Sequence, residues 1–170
     1  MSFVVGSAAD VFPADFARSV DTELRKRYPT AKDGDEEAWH SDVVEPAGWR
    51  QLQQLATSML GGGHPSQLAG VEAYQMVWVP ATFSHVEQIA IPNAADPLQV
   101  GSLPTLLEEL RVFAAAASLP TDDVELMELA AHYLEDELSF DKDLEIQTYV
   151  QLMLAAKQAS ARGEALWIAS

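Results

Sequence analysis

The chain has no cysteine, so disulfides, thiolate nucleophiles and cysteine-ligated zinc or iron–sulfur centres are excluded as sources of stability or chemistry. Basic residues are scarce: ten Lys and Arg stand against 26 Asp and Glu, a formal net charge of −16. A field of that sign repels nucleic-acid phosphates and anionic membrane surfaces, and it speeds the approach of cationic partners. Long apolar runs are missing too, none approaching the roughly 18 residues of a membrane helix. The opening residues, MSFVVGSAADVFPAD, lack the basic start of a secretory signal. These absences lead to the expectation of a cytoplasmic protein that binds neither nucleic acid nor membrane.

The familiar catalytic signatures are equally lacking. No HExxH, GxSxG or GxGxxG occurs. The segment 61–66 (GGGHPS) is glycine-rich, but no Lys follows it and it succeeds a helical pattern rather than a strand. Helix termination therefore explains it better than phosphate binding. Residues 139–142 (SFDK) fit S-x-x-K, a pattern of two fixed positions whose companion motifs are absent. Asp141-x-Asp143-x-Glu145 has the opening spacing of a calcium loop, but Ile146 and Leu152 stand where glycine and an acid are required. Four histidines, His40, His64, His85 and His132, show no dense ligand spacing. Glu128, His132 and Glu135 share a helical face, one expected to point to water rather than to further ligands in a core. His40 and Asp42 share a side only if extended, with no nucleophile in register. No cofactor and no metal are expected.

What remains is an ordinary globular composition, 48% apolar and 21% charged over 170 residues, able to bury one core without a disulfide or metal. A first strand is expected at 2–6. A helix over 13–28 sets Phe12, Phe16, Val20 and Leu24 along one side, with Arg25, Lys26 and Arg27 in its last turn, where cations meet the negative end of the dipole. Residues 30–37 form a polar loop. A helix over 46–60, apolar along Trp49, Leu52, Leu55, Ala56 and Met59, stops at the glycines 61–63. Two strands, 74–79 and 86–91, are expected to pair antiparallel, followed by a loop at 92–97.

Three helices then fill the C-terminal half. Ser102 caps the first, which runs to 118 with Leu103, Leu106, Leu107, Leu110, Phe113 and Ala117 inward. Thr121 caps the second, whose Val124, Met127, Ala131, Leu134 and Leu138 form an apolar seam expected to face the core. Asp141 caps the third, which runs to Arg162 with Ile146, Tyr149, Val150, Met153 and Ala156 inside. Gly163 ends it, and 165–169 (ALWIA) closes the chain as a strand. The expected fold is α+β, a single domain over 1–170. It has about five helices, the three C-terminal ones packed together, and a small, mainly antiparallel sheet covered by helices on one side.

The most distinctive feature is acidic. Between 122 and 145 stand ten carboxylates against Lys142 alone. Asp122, Asp123, Asp141 and Asp143 suit helix starts, and most of the ten fall off the apolar seam. Glu128, Glu135, Asp136, Glu137, Asp141, Asp143 and Glu145 are the candidate partner-binding residues, a surface on which complementary charge raises association rate and selectivity. Trp49, Trp78 and Trp167 read as core; Trp39 borders an acidic loop, half-buried or an interface anchor. The expected function is a non-catalytic acidic protein engaging a basic protein, in the manner of an immunity protein that inhibits a bacterial toxin. Two other readings compete. One is a small enzyme assembled from scattered residues such as His40, His64 and Glu72, and the other is a homo-oligomeric scaffold joined through an apolar patch.

Overall fold

Alternation along the strands divides the interior into two cores. In β1 (Ser2–Gly6), Phe3 and Val5 point to one face of the sheet and Val4 to the other. The same period of two sends Met76 and Trp78 of β3 (Met76–Val79) one way and Val77 and Val79 the other. The computed structural model describes residues 1–28, 36–61, 66–135 and 143–170. Among these, β2 (Trp39–His40), β4 (Glu87–Ile89), β5 (Leu98–Ser102) and β6 (Ala165–Ala169) complete one six-stranded sheet of order β2-β1-β6-β3-β5-β4. β3 and β5 run parallel and every other neighbouring pair runs antiparallel.

One face carries α1 (Ala14–Arg27), whose Ala17, Val20 and Leu24 pack on Val4, Val77, Val100 and Trp167. The other carries α2 (Pro46–Leu60), α3 (Leu103–Ala117), α4 (Asp123–Glu135) and α5 (Leu144–Arg162). α5 is the hub, lying against α2, α3, α4 and β1. Trp78 and Trp49 meet edge-on at the centre of this larger core, and Tyr149, fully buried, donates to the Pro120 carbonyl at 2.7 Å.

Several expectations need correction. The sheet is larger than foreseen, is mixed, and has helices on both faces rather than one. The strands at 76–79 and 87–89 do not pair with each other, because β5 lies between them. Residues 98–102 (LQVGS) carry a glycine at their fourth position and follow Pro97, so they lack a strand signature, yet all five are buried. The α4 cap is Asp122, whose Oδ1 accepts from the Val124 and Glu125 N–H groups at 3.0 and 3.3 Å, rather than Thr121. Ser102 does cap α3, accepting from the Thr105 N–H at 3.3 Å. The 30–35 part of the polar loop, glycines 62 and 63, Leu138, the 139–142 motif and the cap expected at Asp141 lie outside the described residues.

Gly48 fixes how closely α2 crosses α5. A Cβ there would stand 2.4 Å from the Thr148 Oγ1 and 2.6 Å from the Leu144 carbonyl oxygen. Alanine at a helical glycine ordinarily gains up to about 1 kcal/mol of propensity. The clash is with backbone as well as with a hydroxyl, so the overpacking cost of about 1–3 kcal/mol outweighs that gain. Gly48→Ala is expected to lower stability by about 1–2 kcal/mol in denaturant titration, and a more stable variant would contradict this close crossing.

Candidate functional site

The α4 helix carries two apolar strips, each at three- and four-residue spacing. Leu126, Leu129, Ala130 and Tyr133 form one, and Val124, Met127, Ala131 and Leu134 the other. Periodicity ranks them equally. In the fold the first strip meets α5, with Leu126 fully buried and Leu129 and Ala130 packed partly against the core. The second strip, expected to face inward, instead lies open: Val124 is 63%, Met127 63% and Leu134 58% exposed. The seam expectation is therefore reversed. The reason is that α4 sits at the margin of the helical layer and rests on α5, so one strip only can be covered. Burying Leu126 contributes about 2–3 kcal/mol. That is modest beside the roughly 1 kcal/mol per residue that ordering a backbone costs, so α4 stands to gain from another apolar neighbour.

The open strip forms one wall of a cleft of about 580 Å³. Met127, Ala131 and Leu134 of α4 face Leu154 and Ala161 of α5, and Trp39 of β2, half-buried, closes one side. Beyond Asp42, Ala130, Leu134 and Gln151, which they share, lies a second depression of about 290 Å³ that includes Tyr133, Val150 and Val43. Val43 is 80% exposed. The segment between β2 and α2 is held against α5 reciprocally. The Gln151 Nε2 donates to the Asp42 carboxylate at 3.1 Å, and the Asp42 N–H donates to the Gln151 Oε1 at 3.0 Å. These bonds fix the wall without filling it.

Carboxylates border this apolar surface. Asp42 and Asp123 line the cleft, and Asp122, Glu125 and Glu128 stand exposed on and before α4. On a 3.6-residue helix Glu125 and Glu128 occupy the strip next to Val124 and Ala131. Among the described residues Lys157 is the cation lining the cleft; it pairs with Asp123 and donates to the Thr121 carbonyl at 2.7 Å. Burial, and then the negative charges of Asp143 and Glu145, push the Tyr133 phenol up from its ordinary value. Those two acids therefore act on the far end of α4. The cations of α1 lie across the sheet, where Arg18 pairs with Asp15 and Lys26 with Glu23.

The candidate residues are placed as follows. Glu128 and Asp143 are exposed, and Glu145 is half-buried on the first turn of α5, where it also borders Gln51 and Leu55 of α2. Glu135 ends α4, its side chain outside the described residues, as are Asp136, Glu137 and Asp141 altogether. His40, His85, His132 and Glu72 are exposed, neither His40 nor Glu72 lines the clefts described here, and His64 is not among the described residues. Among the described residues no three metal-ligating side chains converge, and no helix is long and apolar enough to cross a membrane. Sequence reasoning missed Val43 and Gln151, and weighed Asp42 only as a partner for His40. The adjacent Val43-Val44 between polar residues was the available signal.

A second polar centre was also missed. Glu109 lies on the inward side of α3, in line with Leu106 and Phe113, and is nearly fully buried. Its carboxylate accepts from the Gln67 N–H at 2.7 Å and the Ser66 hydroxyl at 2.9 Å. Gln67 in turn accepts from the Ser102 N–H at 2.8 Å and donates to the Ser84 carbonyl at 3.2 Å. The arrangement ties the segment after α2 to α3 through these hydrogen bonds. It reads as structural.

Comparison with protein-family models, with curated proteins and with solved structures finds no match to this chain.

Proposed function

We propose that this protein is a non-catalytic binding protein that engages a basic protein through the open side of α4. One observation carries the reading: an apolar row, Val124, Met127, Ala131 and Leu134, is left exposed on a helix whose neighbouring strip is acidic. Contiguous exposed apolar surface rimmed by polar groups marks interaction sites. The acidic strip and the net charge of −16 select for cationic partners through association rate and specificity. The dispersal of His40, His85 and Glu72 gives the enzymatic alternative less support, and self-association would set like charges against each other. In this reading the three C-terminal helices act as one packed unit that presents the surface. The biological class it fits is an inhibitor, of the bacterial immunity kind, held against a toxin that is cationic because its own target is nucleic acid.

The test compares the natural chain with the double substitution Met127→Glu, Leu134→Glu. Both side chains are exposed, so the variant is expected to unfold within about 0.5 kcal/mol of the natural chain. Immobilised on beads in lysate of the source organism at low salt, the natural chain is expected to retain a protein of net positive charge, identified by mass spectrometry. Retention should fall at least tenfold between about 50 and 300 mM salt and be lost with the variant. A partner that is acidic, or one retained equally by both chains, would rule the reading out.

A further inference from the structure

We infer that the segment seated in the α4–α5 cleft is a basic amphipathic α-helix; this rests on the partner reading above and specifies its shape. Two helices form the walls, and each presents a row at i, i+4, i+7: Met127, Ala131 and Leu134 on α4, and Leu154, Gln158 and Ala161 on α5. Rows of this kind on two packed helices make a groove into which the ridges of a third helix fit, with anchors at i, i+3, i+4 and i+7. Ala130, Ala131 and Ala161 are small, which lets the third backbone approach closely. α4 has 13 residues, about 20 Å at 1.5 Å per residue, so the groove matches a helix of three to four turns.

An extended segment fits less well. The sheet edge beside the cleft is β2, which has two residues, too short a ladder to hold an added strand by main-chain bonds. A second copy of the chain fits less well again. It would bring Asp42, Asp122, Asp123, Glu125 and Glu128 against the same groups, whereas Lys157, the cation lining the cleft among the described residues, is already engaged by Asp123 and the Thr121 carbonyl. Lys and Arg beside an apolar stripe meet both demands: the stripe covers the open strip of α4, and the cations face the acidic border. α4, apolar on two sides, would then be covered on both, as its composition demands.

Three synthetic peptides of 15 residues separate the outcomes. The first sets Leu at helical spacing with Lys elsewhere. The second scrambles the same residues to remove the spacing, and the third keeps the Leu positions and replaces Lys by Glu. Trp39 reports binding, since it lines the cleft while Trp49, Trp78 and Trp167 are buried; Trp39→Phe removes that signal, and circular dichroism reads helix gained by the peptide. The first peptide is expected to bind at least tenfold more tightly than either of the others, to become helical, and to lose at least tenfold in affinity for the Met127→Glu, Leu134→Glu chain. Equal binding of the first two peptides overturns the helix inference and leaves the basic-partner reading standing. Equal binding of the first and third overturns the basic-partner reading. Failure of all three at 50 mM salt, or a dimer in light scattering that Met127→Glu dissociates, also overturns the inference.

Discussion

Glu109→Ala is expected to lower stability by about 2–3 kcal/mol, about 5–10 °C in Tm for a chain of this size, whereas Glu109→Gln stays within about 1 kcal/mol of the natural chain. Alanine removes the acceptor of a fully buried Gln67 N–H and of the Ser66 hydroxyl. An orphaned buried donor costs about 1–3 kcal/mol; Ser66 is half-buried, so water offsets part of its loss. Glutamine keeps one acceptor oxygen for Gln67 and drops the charge. Burial raises the Glu109 carboxyl above its ordinary value, against the lowering effect of the hydrogen bonds from Gln67 and Ser66. A carboxyl raised in the fold holds its proton more tightly there than in the unfolded chain. Its ionisation therefore weakens the fold as pH rises from the ordinary carboxyl range through the raised value. The other 25 acids titrate as well, so the informative quantity is the stability of the natural chain minus that of Glu109→Gln. It should fall as pH rises from about 4 to neutrality. A difference that rises over that range would show a carboxylate stabilised by its partners rather than strained by burial.

The helical frame was largely legible because its signals are local. Pro46 at the first position and glycine at the end fixed α2, Ser102 fixed the start of α3, and Gly163 the end of α5. What was not legible depends on contacts distant in sequence. β5 is a strand because β3 and β4 flank it, not because its residues favour one. The choice between two equivalent strips of α4 was made by α5, about twenty residues further on. Both strips satisfy the same spacing, so reading the seam as inward was an even choice that tertiary packing decided the other way. Buried Glu109 could have been suspected from its place among Leu106, Leu110 and Phe113, where a charged residue demands partners.

The acidic surface was half legible. Sequence placed carboxylates on the solvent side of α4, where Glu125 and Glu128 are found. It could not place α1. Because α1 packs on the opposite face of the sheet, its Arg and Lys are separated from α4 by the sheet itself, well over a Debye length of about 8 Å away at physiological salt once two layers about 10 Å apart intervene. Among the described residues that line the cleft the cation is Lys157, paired with Asp123, and Arg162, next to the lining residue Ala161, is held by Glu36 and the Glu37 carbonyl. Charge and exposed apolar area consequently coincide at one place, which charge counting along the chain does not reveal.

Gly101→Ala should be among the most damaging single-methyl additions to this chain, at about 2–3 kcal/mol. Glycine inside a strand usually weakens it and persists where another group approaches closely. At Gly101 three groups do so: a Cβ would stand 2.5 Å from each of the Gln67 Oε1, the Met76 Cε and the Trp78 Cδ1. The methionine end can move. Trp78 cannot, being fully buried against Trp49, and Gln67 can do so only by releasing the Ser102 N–H at the start of α3. Overpacking of about 1–3 kcal/mol thus adds to a lost buried hydrogen bond of about 1 kcal/mol, against a gain in strand propensity that is smaller than either. The effect should also be coupled to Glu109, because both sites act on Gln67. Gly101→Ala combined with Glu109→Ala is expected to cost less than the sum of the two by at least about 0.5 kcal/mol. Strict additivity in denaturant titration would mean that the Gln67 side chain gives way without disturbing its backbone, and that the network linking β5, α3 and the segment after α2 does not act as a unit.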